Sequence, residues 1–145
     1  MANLSGECLC GAVAYEYHGP NGNLVHCHCS ECRKWHAAAF RSRITIDSKF
    51  FKWTRGENQV QQYAHTENVT KTFCKVCGSG LITIYPKRDH LLGMPVAAAQ
   101  GEFNAQRAFH IFTANKAAFY TINDQLPQYE TLPEEKQLVH EIIQE

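Results

Sequence analysis

The chain carries no excess charge of either sign: 14 basic and 14 acidic residues cancel, and charged residues make up only 19% of the total. Together with the lack of any Lys/Arg run, that balance argues against a nucleic-acid partner recruited by bulk charge. No segment is apolar over the length a bilayer-spanning helix needs. The opening residues Met1-Ala2-Asn3-Leu4-Ser5-Gly6 have neither a cationic start nor an apolar stretch. The expectation is a cytoplasmic protein with no membrane partner. Internal repeats, low-complexity tracts and long linkers are also missing, and 145 residues suit one ordinary domain with a real core.

Cysteine is what the chain has in quantity. Seven residues fall into three tight clusters, Cys8/Cys10, Cys27/Cys29/Cys32 and Cys74/Cys77. An odd total disfavours complete disulfide pairing, and in a reducing compartment close spacing points first to metal ligation. The count divides into four plus three. Zinc held by four thiolates is saturated and acts as a staple, whereas zinc held by three keeps a position for water, a thiol or a carbonyl. The expected cofactor is therefore two zinc ions per chain. Iron–sulfur ligation is the weaker alternative, because a Cys-x-Cys joined to a Cys-x-x-Cys is not one of its familiar spacings.

Short runs rich in aromatic and β-branched residues, separated by Gly, Asn and Pro turns, predict a mainly β domain. They cover 12–17, 40–46, 60–63, 69–73, 81–85 and 109–113. A short helical turn over Ser30 to His36 would carry Cys32. Near the end, Thr131-x-x-Glu134 has capping-box spacing, Pro133 suits a first turn, and Leu138, Val139, Ile142 and Ile143 share one helical face. Residues 1–132 are thus read as a zinc-binding β domain. Residues 133–145 are read as an amphipathic helix that docks on this domain or contributes to a homo-oligomer interface.

Glycine follows both Cys8-Leu9-Cys10 and Cys74-Lys75-Val76-Cys77, where it can take the positive φ that a tight ligand turn requires. These two half-sites pair into one four-thiolate set clasping the domain. Cys27, Cys29 and Cys32 lie within six residues, so a single loop can supply three ligands and then stops. His26, His28 and His36 are near enough in sequence to close this second set. His36, one helical turn beyond Cys32, is the strongest of them, since three consecutive side chains at 27–29 cannot easily aim at one ion.

Beyond the cysteines stand GECLCGAVAYEY at 6–17, CHCSECRKWHAAAF at 27–40, FCKVCGS at 73–79 and FHIFTANKAAFYTINDQLPQYE at 109–130. Together these words resemble the glutathione-dependent formaldehyde-activating enzyme family, which includes proteins similar to centromere protein V. The resemblance spans about residues 5 to 130. It implies a β-tent fold of coiled antiparallel sheets, with Cys8, Cys10, Cys74 and Cys77 on the structural zinc. Cys27, Cys29 and Cys32 are implied to hold the second, reactive zinc. The implied activity is that of a carbon–sulfur lyase joining glutathione to formaldehyde as S-hydroxymethylglutathione, or acting on a related thiol–aldehyde adduct. A non-catalytic zinc-binding interaction module and a thiol or zinc sensor are the competing readings.

Glutathione carries carboxylates, so cations near the second cluster become candidate substrate contacts: Arg33 and Lys34, which follow Cys32, and Arg41 and Arg43 on the next strand. Trp35, Phe40, Trp53 and Tyr85 are candidate pocket walls, although aromatic residues in a small β domain more often form core. His65, His90 and His110 read as surface or structural histidines, His110 being the one within a family word. Ala37 stands where many members have glycine, and Ala118-Phe119 stands where Pro-Trp is common.

Overall fold

Eleven strands form the framework of the computed structural model, which describes residues 1–142. In chain order they are β1 (Ala2–Glu7), β2 (Ala14–Gly19), β3 (Leu24–Cys27), β4 (Arg41–Asp47), β5 (Phe51–Arg55), β6 (Val60–Thr66), β7 (Val69–Cys74), β8 (Gly80–Ile84), β9 (Leu91–Pro95), β10 (Ala99–Glu102) and β11 (Ala108–Ile111). One α-helix, α1 (Ser30–His36), lies between β3 and β4, as the sequence predicts. A four-stranded sheet has the order β10-β1-β2-β5. A seven-stranded sheet has the order β11-β3-β4-β9-β8-β7-β6, and β11 runs parallel to β3 while the other neighbours are antiparallel.

The main core fills the space between the sheets. Tyr15 and Tyr17 on β2 meet Ile44 and Ile46 on β4, Ile82 on β8 and Met94 on β9, all buried. Alternation along β4 turns the isoleucines toward this core and sends Arg41, Arg43 and Thr45 to the opposite face. Register places Thr45 opposite Gly93, Gly93 opposite Thr83, and Thr83 opposite Lys71. A polar row therefore crosses the sheet on the face away from the main core. Its three side-chain-bearing members Thr45, Thr83 and Lys71 are buried, as are Arg41 and Arg43 on the same face of β4.

A second apolar cluster covers part of that face. It joins Val25, Cys27 and Cys32 to Phe109 and Ile111 of β11 and to Leu138 and Val139 near the end of the described chain. Here the structure departs from the sequence expectation. The helix expected over 133–145 is, within the described residues, a single 3-10 turn at Lys136–Val139, and Ile142 then bridges to Gly22; residues 143–145 lie outside the described chain. The backbone carbonyls explain the difference. Asn23 Nδ2 donates to Leu138 O at 3.0 Å and Arg43 Nη1 donates to Val139 O at 3.0 Å, so oxygens that would extend a helix are engaged by side chains from the sheet. Leu138 and Val139 are still buried, but as anchors of a strap rather than one face of a helix.

The strand ends are shifted from the sequence reading by up to three residues, the largest shift being β6, which runs on from Tyr63 to Thr66. The run over 109–113 stops at Ile111, because Phe112 takes φ 56° and a 3-10 turn follows at Thr113–Asn115. Strands β1, β3, β5, β9 and β10 are additions to the sequence reading.

Candidate metal centres and catalytic cleft

Cys8 and Cys10 sit on the corner between β1 and β2, and Cys74 and Cys77 on the tight turn from β7 into β8. These two turns belong to different sheets, yet their four sulfurs lie within 4.8 Å of one another. Cys8 Sγ is 3.6 Å from Cys10 Sγ, and Cys10 Sγ is 3.9 Å from Cys74 Sγ. A tetrahedral zinc with Zn–S bonds of about 2.3 Å has an S···S edge of about 3.8 Å, so the donor set fits that ion. Local backbone holds the sulfurs in place. Val13 N–H donates to Cys8 Sγ at 3.2 Å, Gly78 N–H donates to Cys74 O at 2.7 Å, and Leu9 N–H donates to Ser79 Oγ at 2.9 Å across the two turns. Gly11 and Gly78 have φ of 78° and 81°, the left-handed geometry the glycine positions predicted. Hydrogen bonding from Ser79 pulls the Cys77 thiol down to about 5, which favours the thiolate a metal needs.

The second set is built from a strand end and a helix start. Cys27 closes β3, Cys29 is the N-cap of α1 and Cys32 lies in its first turn, with Cys32 N–H donating to Cys29 Sγ at 3.3 Å. These three sulfurs also lie within 4.8 Å of one another, and among the described residues no histidine or carboxylate joins them at that separation. His36, the residue expected to be best placed to close the set, stands outside it. Hydrogen bonds from Cys27 and Cys29 draw Cys32 down to about 2, and the same contacts push Cys27 up. Arg41 and Lys71 also favour the Cys32 thiolate. Three thiols with one already poised as thiolate suit a soft or borderline cation such as zinc.

The residues that follow Cys29 lead into a cleft of about 480 Å³ between α1 and the β6–β7 hairpin, with Ser30, Lys34 and Trp35 on one wall and Tyr63, His65 and Lys71 on the other. Trp35 stacks on Tyr63 with the rings 9° from parallel, and a more apolar groove continues beyond Trp35 toward Phe73 and Gly80. A β-carbon at Gly80 would stand 3.0 Å from Trp35 Nε1, so a larger residue there would push the indole by a few tenths of an ångström. At the mouth, His65 Nε2 lies 3.2 Å from the Glu31 carboxylate.

The candidate cations separate by position. Lys34 lines the cleft, Arg33 is half-buried on α1, and Arg41 lies under the thiol trio with its Nη1 donating to Thr83 Oγ1 at 3.2 Å. Burial works against the Arg41 charge, but the Tyr85 oxygen and the Cys32 and Cys27 sulfurs outweigh it and raise the pKa. Arg43, one alternation further, is committed to the strap through Thr45 and Val139. Lys71 is a residue the sequence reading did not select. It interrupts Val69-Thr70-Lys71-Thr72-Phe73 as any outward strand lysine would, and only the fold turns it under α1.

Of the aromatic candidates, Trp35 walls the cleft, Trp53 packs edge-on to Tyr15 between sheet residues, and Phe40 covers a group of histidines. That group was also not foreseen. His28 Nε2 lies 2.7 Å from His110 Nδ1, and His110 Nε2 lies 2.9 Å from Asp124 Oδ2. His26 packs against His110 and contacts Ser42 Oγ at 2.7 Å. Burial pushes His28 down to about 4. His28 is thus engaged with His110, and His90 stays at the surface.

Similarity to known proteins agrees with this arrangement. An uncharacterized lyase of Schizosaccharomyces pombe is 31% identical over 86 residues, which are 59% of this chain and 60% of that protein. The chain therefore spans less than two thirds of that relative's length. A crystal structure of a Rhodobacter sphaeroides protein superposes with a TM-score of 0.56 at 26% identity, covering 68% of this chain and 90% of the other. The family model described as glutathione-dependent formaldehyde-activating enzyme matches residues 3–115, a stretch that contains all seven cysteines, α1 and the cleft. By that match, the chain belongs to the glutathione-dependent formaldehyde-activating enzyme family.

Proposed function

We propose that the protein is a zinc-dependent carbon–sulfur lyase acting on the adduct of glutathione with formaldehyde, or on a closely related thiol–aldehyde adduct. The observation that carries this reading is the contrast between four clustered thiols joining two sheets and three clustered thiols at a helix start whose neighbouring residues Ser30 and Glu31 line an open cleft. Cys8, Cys10, Cys74 and Cys77 would hold one zinc as a staple. Cys27, Cys29 and Cys32 would hold a second. When bound, the second ion supplies Lewis acidity and stabilises a thiolate at neutral pH.

In the forward direction a C–S bond forms between the thiol sulfur and the aldehyde carbon, the C=O π bond opens, and the thiol proton ends on the new hydroxyl. The chain's own part is to bind and orient. Trp35 and Tyr63 form an aromatic wall of the cleft, and Lys34 offers a cation at its rim. Arg41 beneath the trio favours anionic sulfur at Cys32. All seven cysteines are free thiols, as suits a cytoplasmic location, and no helix among the described residues is long and apolar enough to cross a membrane.

The test is exchange NMR of glutathione with formaldehyde in the presence of metal-replete protein. Faster formation and breakdown of the hydroxymethyl adduct than with metal-stripped protein is expected. Equal rates in the two samples, with two metal ions retained in the first, would reject this substrate pair and favour a sensor that binds metal without turnover.

A further inference from the structure

The polar face of the seven-stranded sheet, roofed by α1 and the terminal strap, holds an unusual concentration of positive charge. Arg41, Arg43 and Lys71 are all more than nine-tenths buried. Among the described residues none of the three forms an ion pair with a carboxylate. Arg41 Nε and His36 Nε2 are likewise buried with no hydrogen-bond partner among those residues, and the Tyr85 hydroxyl faces Arg41. The Tyr85 hydroxyl reaches back over Gly93, where a β-carbon would stand only 2.5 Å from it, so the ring projects its oxygen into the middle of this row.

Buried cations and donors without partners are costly, and proteins retain such groups where an anion or ordered water completes them. The three thiols account for part of the balance, since Lys71 and Arg41 both favour anionic sulfur at Cys32. A zinc ion held by three thiolates leaves the trio a single net negative charge, so the three buried cations still outnumber the negative charge beside them. Lys71 differs from the two arginines in one respect: it also lines the cleft, so a ligand entering the cleft reaches it directly. Glu31 stands in the same cleft but lies 3.2 Å from His65 at the mouth.

We propose that Lys71, backed by Arg41 and Tyr85, is the specificity-determining anchor for a carboxylate on the thiol substrate, so that the cleft selects carboxylate-bearing thiols over neutral ones. This rests on the reading of the cleft as a thiol-adduct site and adds the feature that separates acidic thiols from others. Lys34 at the rim contributes steering, and the buried row contributes selection, because a charge-assisted hydrogen bond out of water discriminates far more than one at an exposed site.

The test uses zinc-loaded full-length protein and two probes that cannot react, S-methylglutathione and its dimethyl ester, with binding followed by calorimetry. The wild type is expected to prefer the acid by about ten-fold or more. Lys71→Met should remove most of that preference while leaving the ester's affinity unchanged, and Lys71→Arg should restore it. Tyr85→Phe, which deletes only the hydroxyl facing Arg41, should weaken the acid several-fold and spare the ester. Equal affinity of the wild type for the two probes, or a full preference retained in Lys71→Met, overturns the proposal. Adduct exchange separates the two levels. If the preference depends on Lys71 but glutathione and formaldehyde show no accelerated exchange, the anchor stands and the reaction falls. If exchange is accelerated and Lys71→Met leaves the preference intact, the anchor alone falls.

Discussion

His28 Nε2 and His110 Nδ1 lie 2.7 Å apart in a buried contact that joins the strand bearing Cys27 to the strand beside it. The Asp124 carboxylate accepts from His110 Nε2, so the facing His110 Nδ1 must accept from His28 Nε2–H when both rings are neutral. The expected nitrogen-15 spectrum has both rings protonated at Nε2. Asp124→Ala should shift the His110 resonances and lower the thermal midpoint without releasing metal. Unchanged ring resonances in that variant would show the chain of contacts to be incidental.

The two cysteine sets should respond differently to loss of one ligand. Cys74 is fully buried and its sulfur helps join the two sheets, so Cys74→Ser should lower the unfolding midpoint by about 10 °C or more. Cys29 is half-buried at the start of α1, and Cys29→Ser should keep a folded domain that has lost one ion and its activity. Native mass spectrometry and circular dichroism of the two variants check this together. Identical unfolding of both would contradict the assignment of one staple and one working site.

Ala37 is the C-cap of α1 and takes φ 48°, ψ 47°, a left-handed conformation that disfavours any residue with a β-carbon. The difference from the family glycine at this place is thus a backbone matter rather than an obstruction at the cysteines. Ala37→Gly should stabilise the protein by about 1 kcal/mol in chemical denaturation. A loss of stability would mean that the alanine methyl makes a compensating contact.

Acid should weaken the strap. His140 sits edge-on to Tyr85, and burial pushes its pKa down to about 3 from an ordinary 6.5, with Arg43, Arg88 and Arg41 adding repulsion. The unfolded chain therefore binds a proton between pH 6.5 and about 3 that the folded chain refuses. Stability from this residue is full above pH 6.5 and is lost as pH falls through that window. His140→Phe should flatten the decline of the melting midpoint between pH 7 and pH 5 relative to wild type. Because thiolate protonation also releases metal in acid, the comparison is between variants at equal metal content.

The metal-ligand pattern was legible because ligand spacing is local: Cys-x-Cys-Gly and Cys-x-x-Cys-Gly dictate turns that need no knowledge of the rest of the chain. Alternating, β-branched strands such as β4 and β8 were legible for the same reason. β1 and β10 were not, since Ala2–Glu7 and Ala99–Glu102 are small and polar and become strands only by pairing with each other and with β2. The terminal segment has a helical period that its surroundings override, because Asn23 and Arg43 engage its carbonyls. Lys71 and Asp124 were beyond reach of pattern reading. One looks like a surface lysine and the other like a loop aspartate until β7 passes under α1 and the loop after β11 folds back on His110.

The parallel pairing of β11 with β3 bears on how the protein is made. More than half of the chain separates the two strands, so during synthesis Cys27, Cys29 and Cys32 emerge early on a strand whose second neighbour does not yet exist. Until Ala108–Ile111 leaves the ribosome, that edge stays open and the three sulfurs lack the packing of Phe109 and Ile111. The packing around the trio is therefore completed only when β11 docks, and the early thiols stand open to oxidation for the whole interval.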